Sequence, residues 1–140
     1  MIRISTSSSS NCASAALRFE SLSLPRRYVL VVAEKPRAAA RIAEVLESRN
    51  RIAISGVSVW TGKFRGKDVV VASTAGHLYT LYTDENDYPT FSFSWGHRWV
   101  YEKNSKHLEK YYRVLEKLFP NAEYYVNACD YDIEGSVIGY

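Results

Sequence analysis

Hydrophobic positions alternate between continuous runs and helical spacing along this chain. From Tyr28 to Ala33 the run YVLVVA is nearly unbroken and rich in valine, as expected of a strand covered on both faces. Glu34 ends it. Pro36 suits the first turn of a helix, where its missing N–H costs nothing. Ala39, Ile42, Ala43, Val45 and Leu46 then recur at helical spacing, and the pattern predicts a helix from about Pro36 to Ser48 with one apolar face. The stretch SVWTGKFRGKDVVVAST predicts two strands about a turn at Arg65-Gly66-Lys67, the second a buried run from Asp68 to Ser73. Gly76 and His77 fall at the exit of that run. From Tyr82 to Tyr101 aromatic and polar residues mix without a period, which predicts a long functional loop or an insertion that packs on a neighbour.

The clearest helix lies in KNSKHLEKYYRVLEKLFPN. Leu108, Tyr111, Tyr112, Leu115, Leu118 and Phe119 share one face, Ser105 or Asn104 is the expected cap, and Pro120-Asn121 stops it. The opposite face carries Lys103, Lys106, Lys110, Arg113 and Lys117, either a solvated stripe or a phosphate-facing one. A strand follows from Tyr124 to Cys129. A last helix begins near Glu134, with Val137 and Ile138 expected toward the core. This alternation predicts an α/β fold: a Rossmann-like, mostly parallel sheet with helices on both faces. Chemistry in such sheets gathers at the carboxyl ends of strands, where Glu34, Gly76-His77 and Asp130 stand.

Composition narrows the picture only a little. With 140 residues and 46% hydrophobic content, the chain suffices for one domain with a real core. A net charge of +3 permits nucleic-acid binding through a local patch without demanding it. The two cysteines, Cys12 and Cys129, form no metal-binding spacing, so a reducing, cytoplasmic setting is expected. No apolar run approaches the ~20 residues of a membrane helix. Residues 1–25 are rich in serine and poor in acids, without a signal-peptide core. They are expected to be a disordered leader, with a transit peptide or a wrongly assigned start codon as alternatives. The ordered domain is expected over 26–140.

The candidate chemistry lies in NACDYDIEG. Residues two apart on a strand share a face, so Asp130 and Asp132 can enter one crevice if extended geometry persists, with Glu134 at the start of the next helix. Unpaired, that much negative charge is costly to bury. Hard carboxylate oxygens without cysteine or histidine suit Mg²⁺, and Glu34 at another strand exit adds a further ligand. The bland alternative is that DYD after a strand is a turn-former plus a helix N-cap, with Asp stabilising the first turn.

Taken together, VVAEKPRAAARIA, STAGHLYTL and NACDYDIEGSVIG, in this order, resemble the Toprim domain that opens type IA DNA topoisomerases. The resemblance spans Tyr28 to Tyr140, and its DYDIEG form is closest to archaeal members. Bacterial relatives commonly carry Pro and Arg at the positions of Tyr131 and Ile133, and a further acid at Ser136. The resemblance implies Mg²⁺ on Glu34, Asp130, Asp132 and Glu134, acid–base work for Glu34, charge stabilisation or leaving-group protonation for Lys35, and a substrate or neighbouring contact for His77. It implies DNA as partner, single-stranded at the cleavage site and met in the nucleoid. It also implies that the nucleophilic tyrosine lies in a later domain, so this chain is the front part of such an enzyme, incomplete at its C-terminal end and inactive alone. The alternatives are a stand-alone Toprim-like remnant that binds Mg²⁺ and nucleic acid, and a Toprim nuclease or primase. A receiver-type signalling domain fits less well, because it places its paired acids on early strands.

Overall fold

The structure is a computed structural model that describes residues 24–139. The expected leader therefore lies almost wholly outside the described residues. Strand β1 (Tyr28–Ala33) is followed by α1 (Pro36–Ala43) and by β2 (Glu47–Ile54), β3 (Val57–Phe64) and β4 (Lys67–Ser73). A hairpin of β5 (Tyr79–Tyr82) and β6 (Ser94–His97) leads through the short α2 (Arg98–Tyr101) into α3 (Leu108–Leu118), β7 (Ala122–Asn127) and α4 (Ile133–Gly139). The main sheet has the order β2-β3-β4-β1-β7. β1 pairs in parallel with both β4 and β7, while β3 runs antiparallel to β2 and β4. Four of the five strands thus run in one direction, and the expected mostly parallel α/β sheet is present.

Alternation along the central strands builds two cores. Tyr28 and Leu30 of β1 join Val70 and Ala72 of β4 on one face, beneath Val114, Leu115 and Leu118 of α3. Val31 and Ala33 join Val69 and Val71 on the other, against Ala39 and Ala43 of α1. Both faces are covered, which is why these strands read as continuous apolar runs. Tyr28 adds a polar tie: its buried hydroxyl donates to the Leu118 carbonyl at 2.7 Å, fixing the end of α3 over the first core.

Several expected boundaries move. The first helix stops at Ala43 instead of Ser48, and the next residues form β2. Leu46 is drawn into the second core, where a side chain on Gly62 would collide with Leu46 and with the Glu47 backbone. Tertiary packing therefore takes Leu46 out of the helical pattern that it continues in sequence. β2 is a polar edge strand. Arg51 donates to Ser58 Oγ at 2.7 and 3.0 Å, and the Arg49 and Arg51 guanidinium groups lie over the Trp60 ring. Charged side chains of this kind protect a sheet edge from pairing with other chains.

The stretch from Tyr82 to Tyr101 is more ordered than its sequence suggests. The Tyr82 and Tyr101 rings stack at 4.1 Å, and His97 sits between Trp99 at 4.4 Å and Tyr112 of α3 at 4.8 Å. The hairpin packs on its own domain, while Tyr88 and Phe91 at its tip are exposed. Neither Ser105 nor Asn104 caps α3. That helix begins after His107 without a side-chain cap, and Ser105 Oγ instead donates to Glu102. Val114, not Phe119, belongs to its buried face, and the following strand runs from Ala122 rather than from Tyr124 to Cys129. Val137 of α4 is exposed instead of facing the core. Among the described residues no helix is long and apolar enough to cross a membrane.

The Tyr28 tie gives two expectations. Tyr28→Phe should lower stability by about 1 kcal/mol in urea unfolding at neutral pH, the usual net value of one hydrogen bond. Burial also pushes the Tyr28 phenol up to about 12 from 10.0. A phenol that ionises more readily in the unfolded chain favours unfolding as pH rises. The Tyr28 contribution should therefore be intact below pH 10 and decline between 10 and about 12. Unfolding curves across that range should show a shallower decline for Tyr28→Phe.

Candidate functional site

The site begins where β1 leaves the sheet. Thr74 follows β4 and is buried; its N–H donates to the Ala33 carbonyl at 3.1 Å and its hydroxyl to the Glu34 carbonyl at 3.2 Å. The Gly76 N–H donates to the same Glu34 carbonyl at 3.2 Å. The STAG segment thus clamps the backbone of Glu34, and parallel pairing of β1 with β4 brings it there. On the other side the Ala128 N–H donates to the Val32 carbonyl at 2.8 Å, which carries the β7 exit to the same sheet edge.

Three of the expected residues meet at this edge. Lys35 Nζ lies 3.3 Å from Glu34 Oε1 and 3.3 Å from Asp130 Oδ2. The Glu34 side chain is only 11% exposed, whereas those of Lys35 and Asp130 are 62% and 58% exposed. The hydrogen bond to Asp130, then that to Glu34, raises the Lys35 ammonium above its ordinary value of 10.5. Neighbouring Cys129 is pushed up from 9.0, first by burial and then by the Glu34 and Asp130 charges, so it remains a thiol rather than a nucleophile.

The other expected residues stand apart from this trio. Asp132 Oδ1 accepts the Gly135 N–H at 2.7 Å, and its carbonyl accepts from Ser136 at both N–H and Oγ. It caps α4, the bland reading of the acid run. Glu134 is exposed in the first turn of α4. Among the described residues, no three carboxylate, histidine or cysteine side chains gather closely enough to hold a metal ion. The expected convergence of Glu34, Asp130, Asp132 and Glu134 is corrected to a pair bridged by a lysine, because the chain turns into α4 at Asp132 instead of continuing extended. Gly135 has a steric role beyond relaxing the turn: a side chain there would collide with the Asp130 carbonyl. His77 and Asp132 both line a groove of about 1350 Å³ walled by Trp95, Tyr112, Tyr125 and Ile138. Sequence reasoning missed Thr74; a hydroxyl residue ending a buried valine run was its only signal.

The donor set left for Mg²⁺ is compatible with that ion. Glu34 and Asp130 offer hard oxygens to one point already held by a cationic group, and Mg²⁺ needs only one or two carboxylates beside water and phosphate.

With this geometry in view, comparison with known proteins is specific. The family model described as the Toprim domain matches residues 29–140. A protein of Aeropyrum pernix named DNA topoisomerase 1 is 45% identical over 113 residues, which cover 79% of this chain and 17% of that protein. Proteins of the same name from Methanocaldococcus jannaschii and Pyrococcus horikoshii are each 38% identical, over 79% and 80% of this chain and 15% and 17% of their own lengths. The chain therefore spans about a sixth of these curated relatives.

The cap assignment is testable by urea unfolding. Asp132→Ala should cost about 1 kcal/mol, whereas Asp132→Asn, which keeps an acceptor at the cap, should stay within a few tenths of wild type.

Proposed function

We propose, on the premise that the chain belongs to the Toprim domain family, that it forms the Mg²⁺-binding Toprim portion of a type IA DNA topoisomerase. In this reading the whole protein cuts one DNA strand through a phosphotyrosine link, passes a strand and reseals the break. The observation that carries the reading is the meeting of Glu34, Lys35 and Asp130 at the carboxyl ends of β1 and β7, in a segment similar to proteins named DNA topoisomerase 1. The archaeal sources of those relatives support the archaeal likeness of DYDIEG.

Strand transfer exchanges one phosphodiester for another, so the barrier lies in charge on the phosphoryl oxygens and in the proton needed by the leaving sugar hydroxyl. Lys35 suits the first task. Its raised ammonium holds its proton and is a poor acid, which makes it an electrostatic partner for a phosphate oxygen. Glu34 suits the second as an ionised carboxylate that takes the 3′-hydroxyl proton when the strand is resealed and returns a proton when it is cut; it sits almost dry on a backbone clamped by Thr74 and Gly76, which fixes its position relative to the strand end. Asp130, and Glu34 at its other oxygen, would hold Mg²⁺, with Asp132 and Glu134 joining only if α4 shifts. Mg²⁺ bound there would neutralise and orient the phosphate and the departing 3′-hydroxyl. His77, in the groove beside Trp95, is assigned to substrate contact; the aromatic walls favour unpaired bases over a duplex. The nucleoid is the corresponding location.

A hybrid tests the reading. When residues 24–139 replace the matched segment of the Aeropyrum pernix protein, the product should relax negatively supercoiled plasmid in Mg²⁺. Glu34→Gln in the hybrid should slow relaxation by about 10²- to 10⁴-fold, the usual weight of a general acid or base. The chain alone should leave plasmid intact. A folded hybrid that binds single-stranded DNA without relaxing plasmid would favour the stand-alone binding remnant, and nicking by the chain alone would favour a nuclease.

A further inference from the structure

We propose that Lys35 is the resident cation of this site: its ammonium holds Glu34 and Asp130 together in the metal-free protein, and a divalent cation enters by displacing it. The inference rests on the Mg²⁺-binding reading above and adds an exchange that this reading does not contain.

Glu34 is a nearly buried carboxylate, and a buried charge is retained only beside an opposite one. Among the described residues Lys35 is the single cationic partner of both Glu34 and Asp130. Both contacts are 3.3 Å, longer than the ~2.7–2.9 Å of a strong charge-assisted hydrogen bond. The ammonium thus bridges two acids without binding either tightly. A cation that draws carboxylate oxygens to ~2.0–2.1 Å is a better fit to the same pair.

Backbone restraint and the length of the lysine stem indicate which partner moves. Glu34 is fixed by its clamped backbone and its burial, and Asp130 by a chain that turns back on its own carbonyl, which accepts the Asp132 N–H at 2.9 Å. Lys35, by contrast, has a side chain 62% exposed on a flexible stem, and its carbonyl accepts the Ala39 N–H at the start of α1. It can swing out without disturbing the sheet. Once released, its ammonium is free for a phosphate oxygen beside the metal. Metal entry therefore arms the lysine for substrate, and both carboxylates remain compensated at every stage.

Mn²⁺, a paramagnetic substitute for Mg²⁺, tests the exchange by loss of its free resonance signal on titration with the chain. Lys35→Met, which keeps the bulk and removes the charge, should bind Mn²⁺ about fivefold to tenfold more tightly than wild type. Lys35→Arg should stay near wild type because it preserves the competitor. Lys63→Met, at the far end of β3, should also stay near wild type, which separates local displacement from a general change in charge. On the unmodified chain, Mg²⁺ should increase labelling of Lys35 by an amine reagent, read by peptide mapping, as the ammonium leaves its partners.

Equal or weaker Mn²⁺ affinity in a folded Lys35→Met, labelling of Lys35 indifferent to Mg²⁺, or no Mn²⁺ binding by either protein would each overturn the proposal. Should Lys35→Met fail to fold, labelling of the unmodified chain decides. No DNA enters these measurements, so their failure is distinct from that of the topoisomerase reading, which the hybrid tests.

Discussion

A nearly dry carboxylate at the end of the central strand governs the rest of this site. Glu34 can stay there because parallel neighbours flank β1 and both release their chains at the same edge. β4 supplies the backbone clamp through Thr74 and Gly76, while β7 delivers Asp130 and the second charge. Lys35, next in sequence to the buried acid, closes the arrangement electrostatically. An antiparallel neighbour in place of either strand would send its exit to the other end of the sheet and leave Glu34 without its clamp or its partner.

The acid run at the end of β7 divides its labour by backbone geometry. Asp130 still points back toward β1, whereas Asp132 is already committed to the amide groups of α4. Gly135 allows the helix to start this abruptly, because its missing side chain admits the Asp130 carbonyl. A residue type suited to metal binding is therefore serving as a helix cap. The two roles are compatible in chemistry, since a capping carboxylate keeps its second oxygen free.

The aromatic hairpin serves a different need. β5 and β6 contribute little to the two cores, and their hold on the domain is a set of ring contacts centred on His97 and Tyr112. Such a lid stands beside the groove that His77 and Asp132 share, with Trp95 on its wall. Tyr79 and Tyr112, which help to anchor the hairpin, thus also line that groove.

The sequence by itself determined the layers of this protein. Val-rich runs at β1 and β4, short and β-branched, read as strands buried on both faces, and the apolar stripe of α3 needs a sheet to cover. Proline at the head of α1 and the acids at strand exits then place the chemistry at one edge. The motif sequence also carried the family, because AEKP, GHL and DYDIEG stand in one order within the segment that the Toprim model matches. Tertiary structure decided what local pattern leaves open. Leu46 continues a helical period, yet it leaves the helix because Gly62 offers a pocket in the second core. ESRNRIAI has no strand pattern of its own and becomes β2 by pairing with β3. The four acids look equivalent in sequence, but the direction of each carboxylate depends on where the backbone stops being extended. That point is set locally by Asp132 capping α4 and by Gly135 admitting a carbonyl, but only the pairing of β7 with β1 places it beside Glu34.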